Sequence, residues 1–318
     1  MTEITVLDDY QGVALAMADW SVLGEQSHVR SITEHIENAD ELAARIGNSD
    51  VLVLNRERTP LTAELLDRCP GLKLVVTFGM RNPVIDMAAA KARGVTVCGT
   101  SMLGYPTAEL TWAMITAMAR DIPGATTALR DGYWQSGPLG VDLNGQVLGV
   151  AGFGRIGKAV ARIGVAFGMD VLVHSRSVTQ PDAAEIGATA ASKDELIERC
   201  HVLTLHMPLT PATRGFIGAA ELAACQPGLR LVNTSRGPIV DKAAVIEALT
   251  SGRIAGLAMD VFDTEPLPAD DPLLKAPNTL LTPHLGYVTE KNYRQAFTAA
   301  VEGIAAWQQG SPIREIGS

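Results

Sequence analysis

Short, mainly apolar runs rich in β-branched residues recur along the chain at 4–7, 51–54, 72–77, 147–151, 171–173, 202–205, 229–232, 254–259 and 279–282. Between them, apolar positions fall at helical spacing over 40–46, 62–69, 84–93, 107–120, 155–167, 242–251 and 289–309. Runs without polar alternation suit strands buried on both faces, and an intervening helix returns the chain for parallel pairing. The pattern predicts an α/β protein with doubly wound parallel sheets covered by helices on both sides.

At 318 residues the chain exceeds the usual size of one core, so two domains are expected. The segment from Val97 to Pro106 reads as a loop that crosses between them, and a return crossing near 285–288 places the last helix back on the first domain. The expected arrangement is a domain of residues 1–101 and 288–318 with a second domain, 102–287, inserted into it.

Composition narrows the function. The chain is 47% apolar and 19% charged, as ordinary globular proteins are. A net charge of −9 without any Lys/Arg block argues against nucleic-acid or anionic-membrane partners, so an anionic substrate would need local arginines. The N-terminus lacks a basic segment and no apolar stretch is long and charge-free enough to span a bilayer, which reads as a cytoplasmic protein. Cys69, Cys98, Cys200 and Cys225 form no C-x-x-C pair and have no histidine at ligand spacing, so they read as reduced, buried thiols and no metal is expected.

The strand at 146–151 runs into Gly152-Phe153-Gly154-Arg155-Ile156-Gly157 and then into a helix. This is the dinucleotide-binding fingerprint in its required context. Gly152 permits the tight turn, Gly154 lets the backbone approach a pyrophosphate, and Gly157 lets helix and strand pack closely. The helix N-terminus offers N–H groups and partial positive charge to the phosphates. Ser175, Arg176 and Ser177 stand after the next strand, where an acid would bind the ribose 2′-hydroxyl of NAD(H). An arginine there accommodates a 2′-phosphate, so NADP(H) is favoured; an Arg176 that only stacks on adenine or points to solvent leaves NAD(H) usable.

Three further motifs place reactive side chains at strand ends, where open α/β sheets put ligands. They are Asn233-Thr234-Ser235-Arg236-Gly237, Asp260-Val261-Phe262-Asp263-Thr264-Glu265-Pro266 and Thr282-Pro283-His284-Leu285-Gly286-Tyr287. In this order after the glycine fingerprint, they make essentially the whole chain resemble the D-isomer-specific 2-hydroxyacid dehydrogenases. This family includes D-lactate, glycerate, hydroxypyruvate/glyoxylate and 3-phosphoglycerate dehydrogenases. The resemblance implies a Rossmann dinucleotide-binding domain inserted into a flavodoxin-like substrate domain, and a homodimer. It implies His284 as general acid/base, Glu265 as its orienting partner and Arg236 as the substrate anchor. The chemistry agrees: imidazole is suited to proton transfer near neutrality, a neighbouring carboxylate favours its protonated form, and a guanidinium matches a carboxylate with two parallel hydrogen bonds.

The same resemblance places Thr107, Phe153, Arg155, Ile156, His206, Met207, Pro208, Thr213, Thr234, Ser235, Asp260 and Gly286 around the cofactor. In the family, a loop matching Phe78-Gly79-Met80-Arg81-Asn82 holds the substrate carboxylate with backbone N–H groups. Arg81 stands where a second glycine is common, which narrows the space for bulky substrates. Arg56 and Arg58, at another strand end, either add positive charge for the substrate or lie in a solvated loop. His28, His35, His174 and His201 lack comparable company and read as structural or surface groups. The helix carrying Trp112, Met114, Ile115 and Met118 suits a subunit interface or, alternatively, ordinary core packing.

The expected activity is NAD(P)-dependent reduction of a small 2-keto acid to the D-2-hydroxy acid, with the hydride from the nicotinamide, the proton from His284, and closure over both ligands. Two other readings stand beside it: the same scaffold acting on a different acid, such as a phosphorylated acid or phosphite, and a nucleotide-sensing, corepressor-like binding protein.

Overall fold

Thr2–Val6 (β1), Ser27–Ser31 (β2), Val51–Leu54 (β3), Leu74–Thr77 (β4) and Thr96–Gly99 (β5) pair in parallel in the order β2-β1-β3-β4-β5. They belong to a computed structural model that describes residues 1–317 and divides into two units, Met1–Leu103 with the segment from Val288 onward, and Gly104–Tyr287. Both faces of β3 and β4 are buried, which explains why their sequences are apolar apart from Thr77. Helices Ala39–Ile46 (α1), Ala63–Arg68 (α2) and Met87–Ala92 (α3) start at Asn38, Thr62 and Asp86, whose side chains accept backbone N–H groups of the first turn. The strand order is that of flavodoxin-like sheets, with its switch point between β1 and β3.

Part of the segment read as a crossing loop is β5. Its Thr96–Gly99 pairs with β4 from Leu74↔Thr96 to Thr77↔Gly99. On its other edge the C-terminal tail supplies Ile316 N–H to the Val97 carbonyl (2.8 Å) and the Arg314 carbonyl to Gly99 N–H (2.9 Å). A short strand closed by glycine carries little signal, and partners from the far end of the chain fix it.

In the second unit, Val147–Ala151 (β6), Asp170–His174 (β7), Thr189–Ala190 (β8), Val202–Leu205 (β9), Leu229–Asn233 (β10), Ile254–Met259 (β11) and Thr279–Leu281 (β12) form a parallel sheet ordered β12-β11-β10-β9-β6-β7-β8. This is the Rossmann order with one added edge strand, and its switch point lies between β6 and β9. The unit opens with Pro106–Ala119 (α4) and Ile122–Arg130 (α5). Arg155–Ala166 (α6), Gln180–Ala184 (α7), Lys193–Arg199 (α8), Ala219–Ala224 (α9) and Lys242–Thr250 (α10) follow, and Glu290–Gln308 (α11) returns to the first unit.

Of the two readings of α4, interface helix and core helix, the apolar face follows the second. Trp112, Met114 and Ile115 are buried in the second unit's own core with Leu148, Val150 and Val160. A helix apolar nearly all round is one that its own domain covers. The four cysteines are buried, and burial pushes the Cys98 thiol up to about 11 and Cys200 up to about 12. Among the described residues no helix is long and apolar enough to cross a membrane.

Candidate active site

The glycine turn between β6 and α6 fits a dinucleotide. Gly152 has φ +101°, and a Cβ there would lie 2.5 Å from the His206 carbonyl group. At Gly157 a Cβ would lie 1.9 Å from the Gly152 oxygen, so only glycine lets helix and strand close up. Gly154, by contrast, is the N-cap of α6 and has nothing within 4 Å of a Cβ position. Its open face is the approach that a pyrophosphate needs, and the first turn of α6 carries no acid to oppose an anion. Gly152 N–H donates to the His174 carbonyl (2.7 Å) and His206 N–H to the Ala151 carbonyl (2.7 Å), so the strands on either side hold the turn.

Ser175, Arg176 and Ser177 follow β7 directly, with Arg176 and Ser177 exposed and the Ser175 hydroxyl accepting from Val178 N–H (3.0 Å). His206, Met207 and Pro208 follow β9. Burial takes the His206 imidazole down to about 3, and its Nε2 lies 2.9 Å from Thr204 Oγ1. The Thr213 hydroxyl donates to the Pro208 carbonyl (2.6 Å), folding this loop on itself. Ser235 Oγ donates to the Met207 carbonyl and links it to the loop after β10.

Arg236, Glu265 and His284 come from the ends of β10, β11 and β12, three adjacent strands. Asn233 organises the first loop, donating to the Arg236 carbonyl (2.8 Å) and accepting from Ser235 N–H (3.0 Å). Gly237 then passes so close to the next loop that a Cβ would lie 2.3 Å from the Phe262 carbonyl carbon. Arg236 Nη1 donates to the Ser235 carbonyl (2.7 Å). Glu265 Oε1 accepts from Phe262 N–H (2.9 Å), and its Oε2 accepts from His284 Nδ1 at 2.6 Å. A carboxylate only accepts, so the imidazole hydrogen of the pair sits on Nδ1. The two side chains are 13% (His284) and 21% (Glu265) exposed, shielded enough for the pair to hold its geometry.

His284 itself has φ +54°, a strained left-handed conformation for a residue with a side chain. Asp260 over-determines it. This fully buried carboxylate accepts from Thr282 Oγ1 (2.6 Å), Leu285 N–H (2.6 Å) and Gly286 N–H (2.8 Å), fixing the turn on both sides of the histidine. Burial pushes the Asp260 carboxyl above the ordinary aspartate value, against the pull of these donors. Sequence reasoning placed Asp260 only among cofactor contacts; the strained histidine and its aspartate clamp lie 24 residues apart in the chain. Thr107, on the first turn of α4, donates to the Gly286 carbonyl (2.9 Å).

In the first unit, Arg56 and the 79–82 loop meet at the ends of β3 and β4. Arg56 has φ +58°, and Nη1 lies 3.6 Å from a Cβ position on Gly79. Asn82 Nδ2 donates to the Arg56 carbonyl (2.7 Å). Gly79 N–H is already given to Thr100 Oγ1 (3.1 Å), while Met80 and Arg81 are exposed. Arg58 is buried, not solvated.

Residues 112–286 match the family model described as D-isomer specific 2-hydroxyacid dehydrogenase, NAD binding domain. The chain is 39% identical to the glyoxylate reductase of Aeropyrum pernix, over 79% of this chain and 77% of that protein. It is 36% identical to the D-3-phosphoglycerate dehydrogenase of Mycobacterium tuberculosis, over 91% of this chain and 54% of that protein, so it spans about half the length of that relative. The crystal structure of phosphoglycerate oxidoreductase from Vibrio cholerae superimposes with a TM-score of 0.92 at 35% identity, covering 98% of this chain and 100% of that one. The chain belongs to the D-isomer-specific 2-hydroxyacid dehydrogenase family, oxidoreductases that act on the CH–OH group of hydroxy acids with a nicotinamide dinucleotide.

Proposed function

We propose that the protein reduces a small 2-keto acid to the D-2-hydroxy acid, with His284 as proton donor. The observation that carries this reading is the 2.6 Å contact of His284 Nδ1 with Glu265, on a histidine whose backbone is held in a strained conformation. The dinucleotide, bound across residues 152–157, supplies the hydride. Glu265 holds the ring through Nδ1, so the proton leaves from Nε2 toward the carbonyl oxygen. Arg236 binds the substrate carboxylate and polarises the adjacent carbonyl. In the reverse direction, neutral His284 accepts the proton. In the first unit taken by itself, Arg56, Met80 and Arg81 are the substrate contacts; the N–H groups of Met80 and Arg81 serve in place of that of Gly79, which Thr100 occupies.

NADP(H) is the favoured cofactor in this reading. What supports it is an exposed arginine flanked by serines after β7, where no acid stands. The same reading has the protein acting in the cytoplasm as a homodimer, without a nucleic-acid partner. Exposed Ile122, Leu129, Tyr133 and Trp134, on and after α5, are the apolar surface that supports association, in place of α4. A phosphorylated keto acid is the second reading, favoured by the likeness to D-3-phosphoglycerate dehydrogenases.

Initial rates of NADPH and NADH oxidation, side by side against glyoxylate, hydroxypyruvate, 3-phosphohydroxypyruvate, pyruvate and longer or aromatic 2-keto acids, test all of this. Rapid NADPH oxidation with a small acid supports the proposal. Rates only with NADH overturn the cofactor assignment, and tight dinucleotide binding without turnover of any acid overturns the reaction.

A further inference from the structure

Two residues past the carboxyl ends of the first unit's strands have left-handed backbones. Asp8, after β1, has φ +57°, and Arg56, after β3, has φ +58°. Aspartate tolerates that region, but a long side chain such as arginine rarely enters it and stays only where its neighbours over-determine it. β1 and β3 flank the switch point of this sheet, where open α/β sheets bind ligands.

What over-determines Arg56 is a hub on Asp8. Asn55, just before Arg56, donates from Nδ2 to the Asp8 carbonyl (3.0 Å), and Thr59, at the far end of the turn, donates from Oγ1 to Asp8 Oδ2 (2.6 Å). Asp8, Asn55 and Thr59 are all buried. One residue thus staples both ends of the 55–59 turn, and Asn82 adds a third tie at the Arg56 carbonyl (2.7 Å). The carboxylate is itself held at Oδ1, which accepts from His35 Nδ1 (3.0 Å) and from the Tyr10 hydroxyl (3.2 Å). His35 lies on the loop after β2, with a side chain only 19% exposed. We infer that Asp8 and His35 are positioning residues for substrate binding: Asp8 staples the 55–59 turn and His35 fixes the Asp8 carboxylate, so that the Arg56 guanidinium is presented to the anionic substrate. The inference rests on the proposed role of Arg56 as a substrate contact. Both residues act through the backbone of the turn, so their loss weakens binding and spares the chemical step.

The test is steady-state kinetics with whichever of glyoxylate, hydroxypyruvate, 3-phosphohydroxypyruvate and pyruvate the wild type reduces fastest. His35→Leu removes a donor on Oδ1 and should raise KM for the keto acid roughly three- to tenfold, with kcat and the dinucleotide KM unchanged. His35→Asn, whose amide can donate where Nδ1 does, should keep KM near wild type. Thr59→Val cuts the staple at the other oxygen and should act as His35→Leu does. A fraction of unfolded protein lowers apparent kcat and leaves KM alone, so it does not imitate this pattern. Arg56→Ala should raise KM at least as much, and adding His35→Leu to it should have no further effect. If Arg56→Ala raises KM while His35→Leu and Thr59→Val do not, or if His35→Leu raises it equally in the Arg56→Ala background, the inference alone is overturned. If Arg56→Ala leaves KM unchanged, the reading of Arg56 fails first and takes the inference with it; if the wild type reduces none of the acids, the proposed function fails before either.

Discussion

Asp260→Ala removes the clamp on the turn that carries His284, and the structure sets the size of the effect. Three donors lose their acceptor: Thr282 Oγ1, Leu285 N–H and Gly286 N–H, all within 2.8 Å of the carboxylate. A buried donor left without a partner costs about 1–3 kcal/mol. The Thr282 hydroxyl can rotate and Leu285 is partly exposed, so the loss concentrates on Gly286, whose surroundings are buried. Removing a carboxylate that burial already disfavours returns part of it. The expected net loss is about 2–4 kcal/mol. For a chain of this size that is a fall in Tm of roughly 5–12 °C, read by calorimetry or circular dichroism. The variant should also lose about 10²-fold in kcat, because a released turn no longer holds His284 at φ +54°. Asp260→Asn keeps the shape but turns an amide –NH2 toward one donor, and should fall between wild type and alanine. A Tm within about 2 °C of wild type with unchanged kcat would refute the clamp.

Arg176→Ala should weaken NADPH binding roughly tenfold or more while leaving NADH nearly unaffected, the difference being loss of charge-assisted hydrogen bonds; equal losses measured by titration would remove the 2′-phosphate assignment. Gly157→Ala places a methyl group 1.9 Å from the Gly152 oxygen, so the turn must shift; dinucleotide affinity should drop sharply, and wild-type affinity would contradict the close-packing role. Burial takes His206 down to about 3 from the ordinary imidazole value of 6.5, so the folded protein does not take up a proton that the unfolded chain accepts. Its contribution to stability is therefore full above 6.5 and declines as pH falls from 6.5 through about 3. In urea unfolding from pH 7 to 4, His206→Gln should flatten that decline, and an unchanged slope would count against a ring kept neutral in the folded protein.

What the sequence made legible follows from how strongly each part is constrained locally. β3, β6, β9 and β11 are almost without polar residues because nearly every position on both faces is buried, and their predicted and observed bounds coincide. The edge strand β2, Ser27–Ser31, has one apolar residue and mostly half-exposed positions, so nothing in its composition announced it. Helix α5 buries none of its residues and gave no core stripe to read. Helix α8 did carry a signal that passed unused: Ser192 and Glu195 form a reciprocal cap. At the site, the residue types and their order pointed to Arg236, Glu265 and His284, but the supports for that chemistry were hidden by distance along the chain. Asp260 and Leu285 are 25 residues apart, and only folding places the carboxylate 2.6 Å from the Leu285 nitrogen.

The central claim is that His284 supplies the proton for keto-acid reduction. The direct measurement is steady-state turnover of His284→Asn with the keto acid that the wild type reduces fastest, alongside dinucleotide affinity by titration. The account predicts unchanged affinity with kcat reduced about 10²- to 10⁴-fold, the usual worth of a general acid. Turnover within a few-fold of wild type, with affinity intact, would contradict it.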